Sequence, residues 1–514
     1  MTLKELTVTI LEKEYWYGSV VDDGVKYPFS QLDTYEMDID PTQTSNQAAP
    51  LLLSTKGRYI WSESGFKAVV ANGEIRLTST KDPIQLYRKG STLKEAFLAA
   101  SERFFPSSGK MPPALFFKSP QYNTWIEFIY NQNQTGVLNY ASQIIKNGYP
   151  AGVLMIDDGW SDYYGKWDFN REKFPNPKEM VRELHQMGFK VMLWTCPFIT
   201  PDSVEFKELR DADLLVKDST GNSAIREWWN GYSAVLDMSH PGAVAWYDKQ
   251  NQQLMRRYAI DGFKFDAGDP RFYTDEDETY GNVTANEQCR LWAEYGLKYS
   301  YNEYRACFKE GGQPLVQRLA DKNHSWDNKG MKALVANQLT MGLLGYPYSC
   351  PDMIGGGEYL NFLENSQTLD ETLFVRYAQT ASLMPMMQFS AAPWRILSQE
   401  NASRCLEAAK LHNEFSDLIE ELAHHSSLTG EPITRYLEYE FPNQHLEKII
   451  DQFMLGTNIM VAPVIEKNAV GRKVVFPKGE WKNVNDSDKI VTGPATIYFD
   501  CSLDQLLMFE CVER

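Results

Sequence analysis

Residues 262–269 read GFKFDAGD, and this stretch decides the fold assignment. Its apolar run with two phenylalanines predicts a short buried β-strand, and the Ala-Gly-Asp that follows predicts a turn. Lys264, Asp266 and Asp269 crowd into this strand end. Functional side chains gather at the carboxyl ends of the strands in a parallel barrel, so the stretch predicts one strand of such a barrel with its site at that end.

Similar apolar runs occur on both sides of this stretch, separated by amphipathic segments with helical periodicity. The eight candidate strands are ALFFK (114–118), GVLMID (152–157), KVMLW (190–194), GFKFD (262–266), YSYNEY (299–304), VQRLA (316–320), GYPYS (345–349) and MPMMQF (384–389). A doubly wound sheet would also alternate in this way, but no GxGxxG follows the first strand. The pattern favours an α/β fold, a (β/α)8 TIM barrel, over residues 106–425.

The segments on either side of the predicted barrel show a different hydrophobic pattern. Residues 1–105 carry short alternating runs and then a helical segment, which predicts an N-terminal β-sandwich domain plus a linking helix. Residues 426–514 return to strands and turns, which predicts a C-terminal β-sheet domain.

Charge and composition limit the partners. The net charge of −17 argues against nucleic acid and against an anionic membrane surface, and it favours a neutral or cationic ligand. No basic segment followed by an apolar core opens the chain, and no run of about 18 apolar residues occurs, so we expect a cytoplasmic protein without a membrane anchor. The seven cysteines form no CxxC pair, which argues against a disulfide framework and a zinc site. The sequence indicates no oligomeric state.

Acids and tryptophans recur at the predicted strand ends. Aromatic rings stack on sugar faces, and carboxylates and arginines bind vicinal hydroxyls, so we interpret the pattern as a site for a small carbohydrate, with no cofactor and no metal. One aspartate at a strand end is as often a turn or cap residue, but repetition across strands favours function. Lys264, on the same face as Asp266, is expected to lower the pKa of that carboxyl. The candidate substrate-binding residues are Trp125, Asp157, Asp158, Trp160, Trp194, Lys264, Arg318, Trp326, Asp352 and Trp394.

Three other chemistries could use the same residues. Lys264 in an apolar strand could form a Schiff base, as in barrel aldolases. Asp157, Asp158, Asp266 and Asp269 could bind Mg²⁺ or Mn²⁺. The site could also bind carbohydrate without catalysis.

Several motifs resemble glycoside hydrolase family 31, whose members are retaining α-glycosidases. GFKFDAGD resembles the family's strand-4 segment with a K-x-D motif, which implies that Asp266 is the nucleophile. SWDNKGMKALVANQLTMGLLGYPYSCPDMIGG (325–356) resembles the segment with the general acid/base, which implies that role for Asp327. Trp326 and Met331 depart from the family pattern there.

The same resemblance bears on the sugar. IDDGW (156–160) is similar to the DDGW segment of related α-galactosidase families, whose paired aspartates hold the 4- and 6-hydroxyls. The aspartate-methionine-asparagine-glutamate segment of the family's α-glucosidases is missing. The sequence therefore favours an α-galactosidase, with an α-glucosidase or another α-glycosidase or transglycosylase of the same family as the alternative.

Overall fold

The computed structural model describes residues 3–44 and 46–514, except for the side chains of residues 487 and 488. The N-terminal part is a sandwich of two four-stranded antiparallel sheets. In spatial order, one sheet contains Lys4–Thr9, Glu74–Ser79, Lys67–Ala71 and Tyr35–Asp38, and the other contains Trp16–Val20, Ala48–Ser54, Arg58–Ser62 and Ile84–Arg88. The helix Leu93–Phe104 follows, and the side chain of its N-cap Thr92 accepts a hydrogen bond from the Glu95 amide.

The central part is the predicted (β/α)8 barrel. Its strands, numbered one to eight along the chain, are Gln121–Asn123, Val153–Ile156, Lys190–Thr195, Gly262–Phe265, Tyr301–Tyr304, Gln317–Arg318, Ser349–Cys350 and Gln388–Phe389. They pair in parallel in the order 7-6-5-4-3-2-1-8. A parallel bridge connects Gln388 of strand eight to Met353, three residues after strand seven, so the carboxyl ends of all eight strands meet at one face.

Helices cover the outside of the barrel. The principal ones are Gln134–Lys146, Pro177–Gln186, Pro241–Tyr258, Ala285–Gly296, Met331–Leu343, Glu371–Ser382, Gln399–Glu414 and Ser416–Thr429. After strand three the chain makes an excursion with the helix Val204–Asp211 and the strands Phe198–Ile199, Ile225–Trp228 and Gly231–Val235. The last two strands form a hairpin whose tip contains Trp229 and Asn230.

The first strand differs from its prediction. ALFFK forms the short helix Leu115–Lys118, and strand one is the polar stretch Gln121–Asn123. The physical reason is that the barrel interior is hydrogen-bonded at this point: Gln388 donates to Gln121 (3.0 Å) and to Glu303 (2.7 Å). A polar strand of three residues carries no hydrophobic signal, so the apolar pattern favoured the neighbouring run instead.

The C-terminal part is a six-stranded antiparallel sheet. In spatial order its strands are Thr434–Arg435, Phe453–Leu455, Ile459–Ala462, Leu507–Glu513, Gly471–Asn483 and Asp486–Asp500. This sheet has its own core, which includes Trp481, Phe476 and Phe509. Over residues 3–44 and 46–514, none of the helices combines the length and the apolar character that crossing a bilayer requires.

Candidate active site

A cavity of about 280 Å³ opens at the carboxyl ends of the barrel strands. This volume is just below the usual range for ligand pockets, which suits one sugar ring rather than an extended chain. Its walls mix carboxylates, cations and aromatic rings. The lining residues are Trp125, Asp157, Asp158, Trp194, Trp229, Lys264, Asp266, Arg271, Arg305, Arg318, Asp321, Met353, Glu358 and Tyr359.

Asp266 follows the last residue of strand four and lies deep in the cavity, with 6% of its surface exposed. Its carboxylate accepts hydrogen bonds from the Trp194 indole (2.6 Å) and the Ala267 amide (2.9 Å). Burial alone would raise the pKa of Asp266, but the charges of Lys264, Arg305 and Arg318 and the Trp194 hydrogen bond outweigh it and lower that pKa. Asp266 is therefore held ionised, as a carboxylate nucleophile requires.

Lys264 precedes Asp266 on the same strand face, but its direct partner is Asp157. The Lys264 Nζ lies 2.7 Å from the Asp157 Oδ2, and both side chains are 3% exposed. Burial would lower the pKa of Lys264, but the charges of Asp157 and Asp266 reverse this and raise it. The ammonium thus joins strands two and four and acts on Asp266 through space.

We predict that Lys264→Met lowers the free energy of unfolding by about 3–5 kcal/mol, because it leaves the buried Asp157 carboxylate without its partner. Urea unfolding at neutral pH, followed by tryptophan fluorescence, measures this. The double variant Lys264→Met/Asp157→Asn is the control and should recover much of the loss. A loss below about 1 kcal/mol in the single variant would show that the ion pair contributes little.

Asp158, the second acid of the pair at strand two, belongs to a different network. It accepts hydrogen bonds from the Asn230 amide (2.7 Å) and the Tyr164 hydroxyl (3.0 Å), and Asn230 in turn accepts one from Tyr130 (2.6 Å). Burial, and then the charge of Asp157, raise the pKa of Asp158 to about 7. The hairpin after strand three thereby holds one of the acids of the cavity wall.

A second carboxylate in the cavity lining is Asp321, three residues after strand six. Its Oδ1 lies 2.8 Å from the Arg318 guanidinium, which also lies 2.6 Å from the buried Asp352. The Asp321 side chain is 26% exposed, compared with 9% for Asp266, so it lies nearer to the cavity mouth.

Arg305, which follows strand five, lies between the two carboxylates. Its Nε is 3.8 Å from the Asp266 Oδ1, and its Nη1 is 3.9 Å from the Asp321 Oδ2. The guanidinium lies over the ring of Trp229, 4.7 Å from the centroid. One cation therefore lies within 4 Å of both acids, which follow strands four and six.

The structure corrects the expectation for Asp327. This residue is exposed and lies outside the cavity lining, nine residues after strand six. Its carboxylate accepts hydrogen bonds from the Ser325 hydroxyl (2.7 Å) and the Lys329 amide (2.9 Å), and the Ser325 bond lowers its pKa. Asp327 thus lies in an exposed turn outside the cavity, whereas Asp321, six residues earlier in the chain, lines it.

The predicted binding residues divide into two groups. Trp125, Asp157, Asp158, Trp194, Lys264 and Arg318 line the cavity, whereas Trp160, Trp326, Asp352 and Trp394 do not. Trp160 is fully buried and donates to the Trp194 carbonyl (2.8 Å). Trp326 donates to Asp370 (2.8 Å), and Trp394 packs 5.4 Å from Tyr149. Asp352 lies behind Arg318 and accepts from the Lys322 and Gly357 amides (2.7 and 2.9 Å).

Sequence reasoning missed several lining residues: Asp321, Arg305, Arg271, Trp229, Glu358 and Tyr359. Two of them carried a usable signal, since Arg305 and Asp321 directly follow predicted strands five and six. Trp229 lies on an excursion hairpin, and Glu358 and Tyr359 begin the helix Tyr359–Asn365 after a glycine-rich turn. No local pattern in the sequence brings these three residues to the cavity.

The geometry also bears on the rival chemistries. A Schiff-base lysine must reach its neutral form, but the raised pKa of Lys264 and its contact with Asp157 favour the ammonium. For a metal site, Asp157 already has Lys264 as its cation. Within the described part of the chain, no three His, Cys, Asp or Glu side chains converge in a way that could hold a metal ion.

Sequence profiles match both the barrel, which contains the cavity, and the C-terminal sheet domain. The profile of the glycosyl hydrolases family 31 TIM-barrel domain matches residues 110–415, and that of the family's C-terminal domain matches residues 430–510. The chain belongs to glycosyl hydrolase family 31.

This chain is similar to a curated mouse protein and to solved structures. The mouse myogenesis-regulating glycosidase is 33% identical over 389 residues, which cover 74% of this chain and 54% of that protein. This chain therefore spans about half the length of that curated relative. Among solved structures, a GH31 dextranase from Flavobacterium johnsoniae complexed with glucose superposes with a TM-score of 0.86 at 20% identity, over 99% of this chain and 66% of that one.

A cycloalternan-degrading enzyme from Trueperella pyogenes, in complex with a covalent intermediate, superposes with a TM-score of 0.81 at 17% identity. The match covers 99% of this chain and 77% of that one. At these identities the likeness to both solved structures is one of fold.

Proposed function

We propose that this protein is a retaining α-glycosidase that hydrolyses terminal α-linked sugars with Asp266 as nucleophile and Asp321 as general acid/base. The observation that carries the proposal is the pair of cavity carboxylates on either side of Arg305, one buried and held ionised, the other nearer to the mouth. The family membership and the covalent intermediate in the related Trueperella structure support it.

The proposed reaction has two displacements. The ionised Asp266 attacks the anomeric carbon while Asp321 donates its proton to the leaving oxygen, which gives a β-linked glycosyl ester on Asp266. Asp321 then takes a proton from water, and the water oxygen replaces the Asp266 ester, so that the sugar is released with its α configuration. Trp194 and the Ala267 amide hold the two carboxylate oxygens of Asp266 in place during both steps.

We further propose galactose as the sugar in the cavity. Asp157 and Asp158 lie side by side in the cavity wall and resemble the aspartate pair that holds the 4- and 6-hydroxyls in related α-galactosidases. Each retains acceptor capacity, since a carboxylate oxygen has two lone pairs. The aromatic wall of Trp125, Trp194 and Tyr359 suits the apolar face of a pyranose.

A panel of aryl α-glycosides tests the sugar. We expect turnover of the α-galactoside to exceed that of the α-glucoside, α-xyloside and α-N-acetylgalactosaminide, measured as kcat/KM from aryl release. Preference for another sugar would contradict the galactose assignment and leave the two-carboxylate mechanism in place. Binding without turnover across the panel would favour a non-catalytic carbohydrate-binding protein.

A further inference from the structure

Two arginines in the cavity wall have no hydrogen-bonded protein partner. Within residues 3–44 and 46–514, neither the Arg271 nor the Arg305 guanidinium donates a hydrogen bond to a protein acceptor, and the Arg305 Nε is buried without one. Arg318, by contrast, donates through its Nη1 to Asp321, Asp352 and the Leu319 carbonyl, although its Nε, like that of Arg305, is buried without a partner. A guanidinium has five N–H donors in a fork that matches an oxyanion, so unused donors in a cavity wall suit an anionic ligand.

The two guanidinium groups share one buried counter-charge. The Asp269 Oδ1 lies 3.5 Å from the Arg305 Nε and 4.0 Å from the Arg271 Nε, and the Asp269 side chain has no exposed surface. Asp269 thus lies behind the arginines and cannot reach a ligand in the cavity. Arg271 has no other carboxylate within ion-pairing distance among the described residues, and burial together with the charge of Arg305 lowers its pKa.

The position of Arg271 assigns it to the leaving-group side. The Arg271 side chain is 34% exposed and follows the turn after strand four, while Asp157, Asp158 and Lys264 line the deep end and are almost fully buried. Asp321, which protonates the leaving oxygen in the proposed mechanism, is also at the outer end, 3.9 Å from Arg305. A group attached to the leaving oxygen would therefore pass close to Arg271 and Arg305.

We propose that the natural leaving group carries an oxyanion, which Arg271 binds at the cavity mouth with the more deeply buried Arg305 guanidinium beside it. This inference rests on the proposed function, since it takes the leaving-group side from the role of Asp321. It also departs from the expectation of a neutral or cationic ligand, which came from the net charge of −17. The net charge is spread over the whole surface, and salt screens most of its effect on a ligand in the cavity. At hydrogen-bonding distance the attraction of the two guanidinium groups for an anion is stronger than the repulsion by those distant charges.

Paired substrates test the proposal: two nitrophenyl α-glycosides of the sugar preferred in the panel, one with a ring carboxylate and one with a carboxamide at the same position. We expect kcat/KM to favour the carboxylate by about tenfold at low ionic strength and by less at high salt, as for a charge-assisted hydrogen bond at a partly exposed site. Arg271→Gln should remove most of this ratio. Arg395→Gln, which removes another half-exposed arginine whose partner is Glu127, should retain it.

The two phenols differ in leaving ability, and this difference contributes equally to the carboxylate-to-carboxamide ratio of kcat/KM in every variant. Comparing that ratio between variants therefore removes the contribution. A ratio near one in the unmodified protein, or a ratio that survives Arg271→Gln, would overturn the proposal. If neither glycoside is hydrolysed, the proposed function fails, and calorimetry with the Asp266→Asn protein decides the inference separately. Tighter binding of the carboxylate that Arg271→Gln abolishes would support the oxyanion site; equal binding, or none of either glycoside, would overturn it.

Discussion

Asp266→Asn is expected to reduce the hydrolysis of aryl α-glycosides by at least about 10⁴-fold, because an amide cannot form the glycosyl ester through which both displacements pass. The fold should survive, since Asn retains an oxygen for the Trp194 or Ala267 hydrogen bond. Initial rates of aryl release measure the loss, and circular dichroism with thermal unfolding checks the fold.

External azide gives this prediction a second readout. With an uncharged amide at position 266, a small anion can enter the cavity and attack the anomeric carbon directly, so the expected product is a β-glycosyl azide. Residual hydrolysis within about 100-fold of the unmodified protein would contradict the nucleophile assignment, because general acid/base loss alone has effects of that size.

Asp321→Asn should slow the reaction in a way that depends on the leaving group. For glycosides with poor leaving groups we expect kcat/KM to fall by about 10²–10⁴-fold, the usual contribution of a general acid. For a dinitrophenyl glycoside, whose departure needs no proton, the first step should be nearly unaffected, and azide should then give the α-glycosyl azide.

Asp327→Asn is the matched control, since it makes the same change in an exposed turn six residues further along the chain. We expect its kcat/KM to stay within about twofold of the unmodified protein, because an exposed carboxylate outside the cavity contributes little. If Asp327→Asn were the damaging variant and Asp321→Asn the harmless one, the general acid/base would be assigned to Asp327 and not to Asp321.

The sequence predicted the barrel because most of its strands can be recognised from short apolar runs of neighbouring residues. GFKFDAGD identified strand four and the position of Asp266, since a short apolar run that ends in charges is typical of a buried strand with a site at its end. Strand one escaped prediction because it is polar: its Gln121 side chain accepts a hydrogen bond from Gln388 inside the barrel, a contact made across 267 positions of sequence. Propensity and periodicity describe neighbours along the chain, so they could not reveal it.

Most of the predicted site residues lie at or just after strand ends, but Arg305 and Asp321, which directly follow predicted strands, were missed together with the residues that loops supply. The position rule alone selects Asp321, three residues after strand six, whereas the motif resemblance selected Asp327 at a place where neighbouring residues depart from the family pattern. Trp160 shows the limit of interpreting tryptophans as sugar platforms, because its indole finds a backbone acceptor in the core. Trp229 reaches Arg305, and Asn230 reaches Asp158, only through the fold of the excursion after strand three.

The effect of Lys264 on Asp266 was predicted correctly, but its hydrogen-bond partner was not. Its charge does lower the pKa of Asp266, as the strand spacing suggested, but its hydrogen bond goes to Asp157 at the end of strand two, beyond the intervening strand three. The alternation of side chains along a strand shows that Lys264 and Asp266 point to the same side. Only the barrel geometry shows which side chains from other strands lie closest to Lys264 in the interior.

The central claim is that the reaction passes through a covalent ester on Asp266, and trapping that ester tests it most directly. The protein is incubated with a 5-fluoro glycosyl fluoride of its preferred sugar, digested, and analysed by tandem mass spectrometry. The account predicts one labelled peptide, with the sugar mass on Asp266. A label on Asp321 or another residue, or continued turnover of the reagent by a protein that never carries a label, would contradict it.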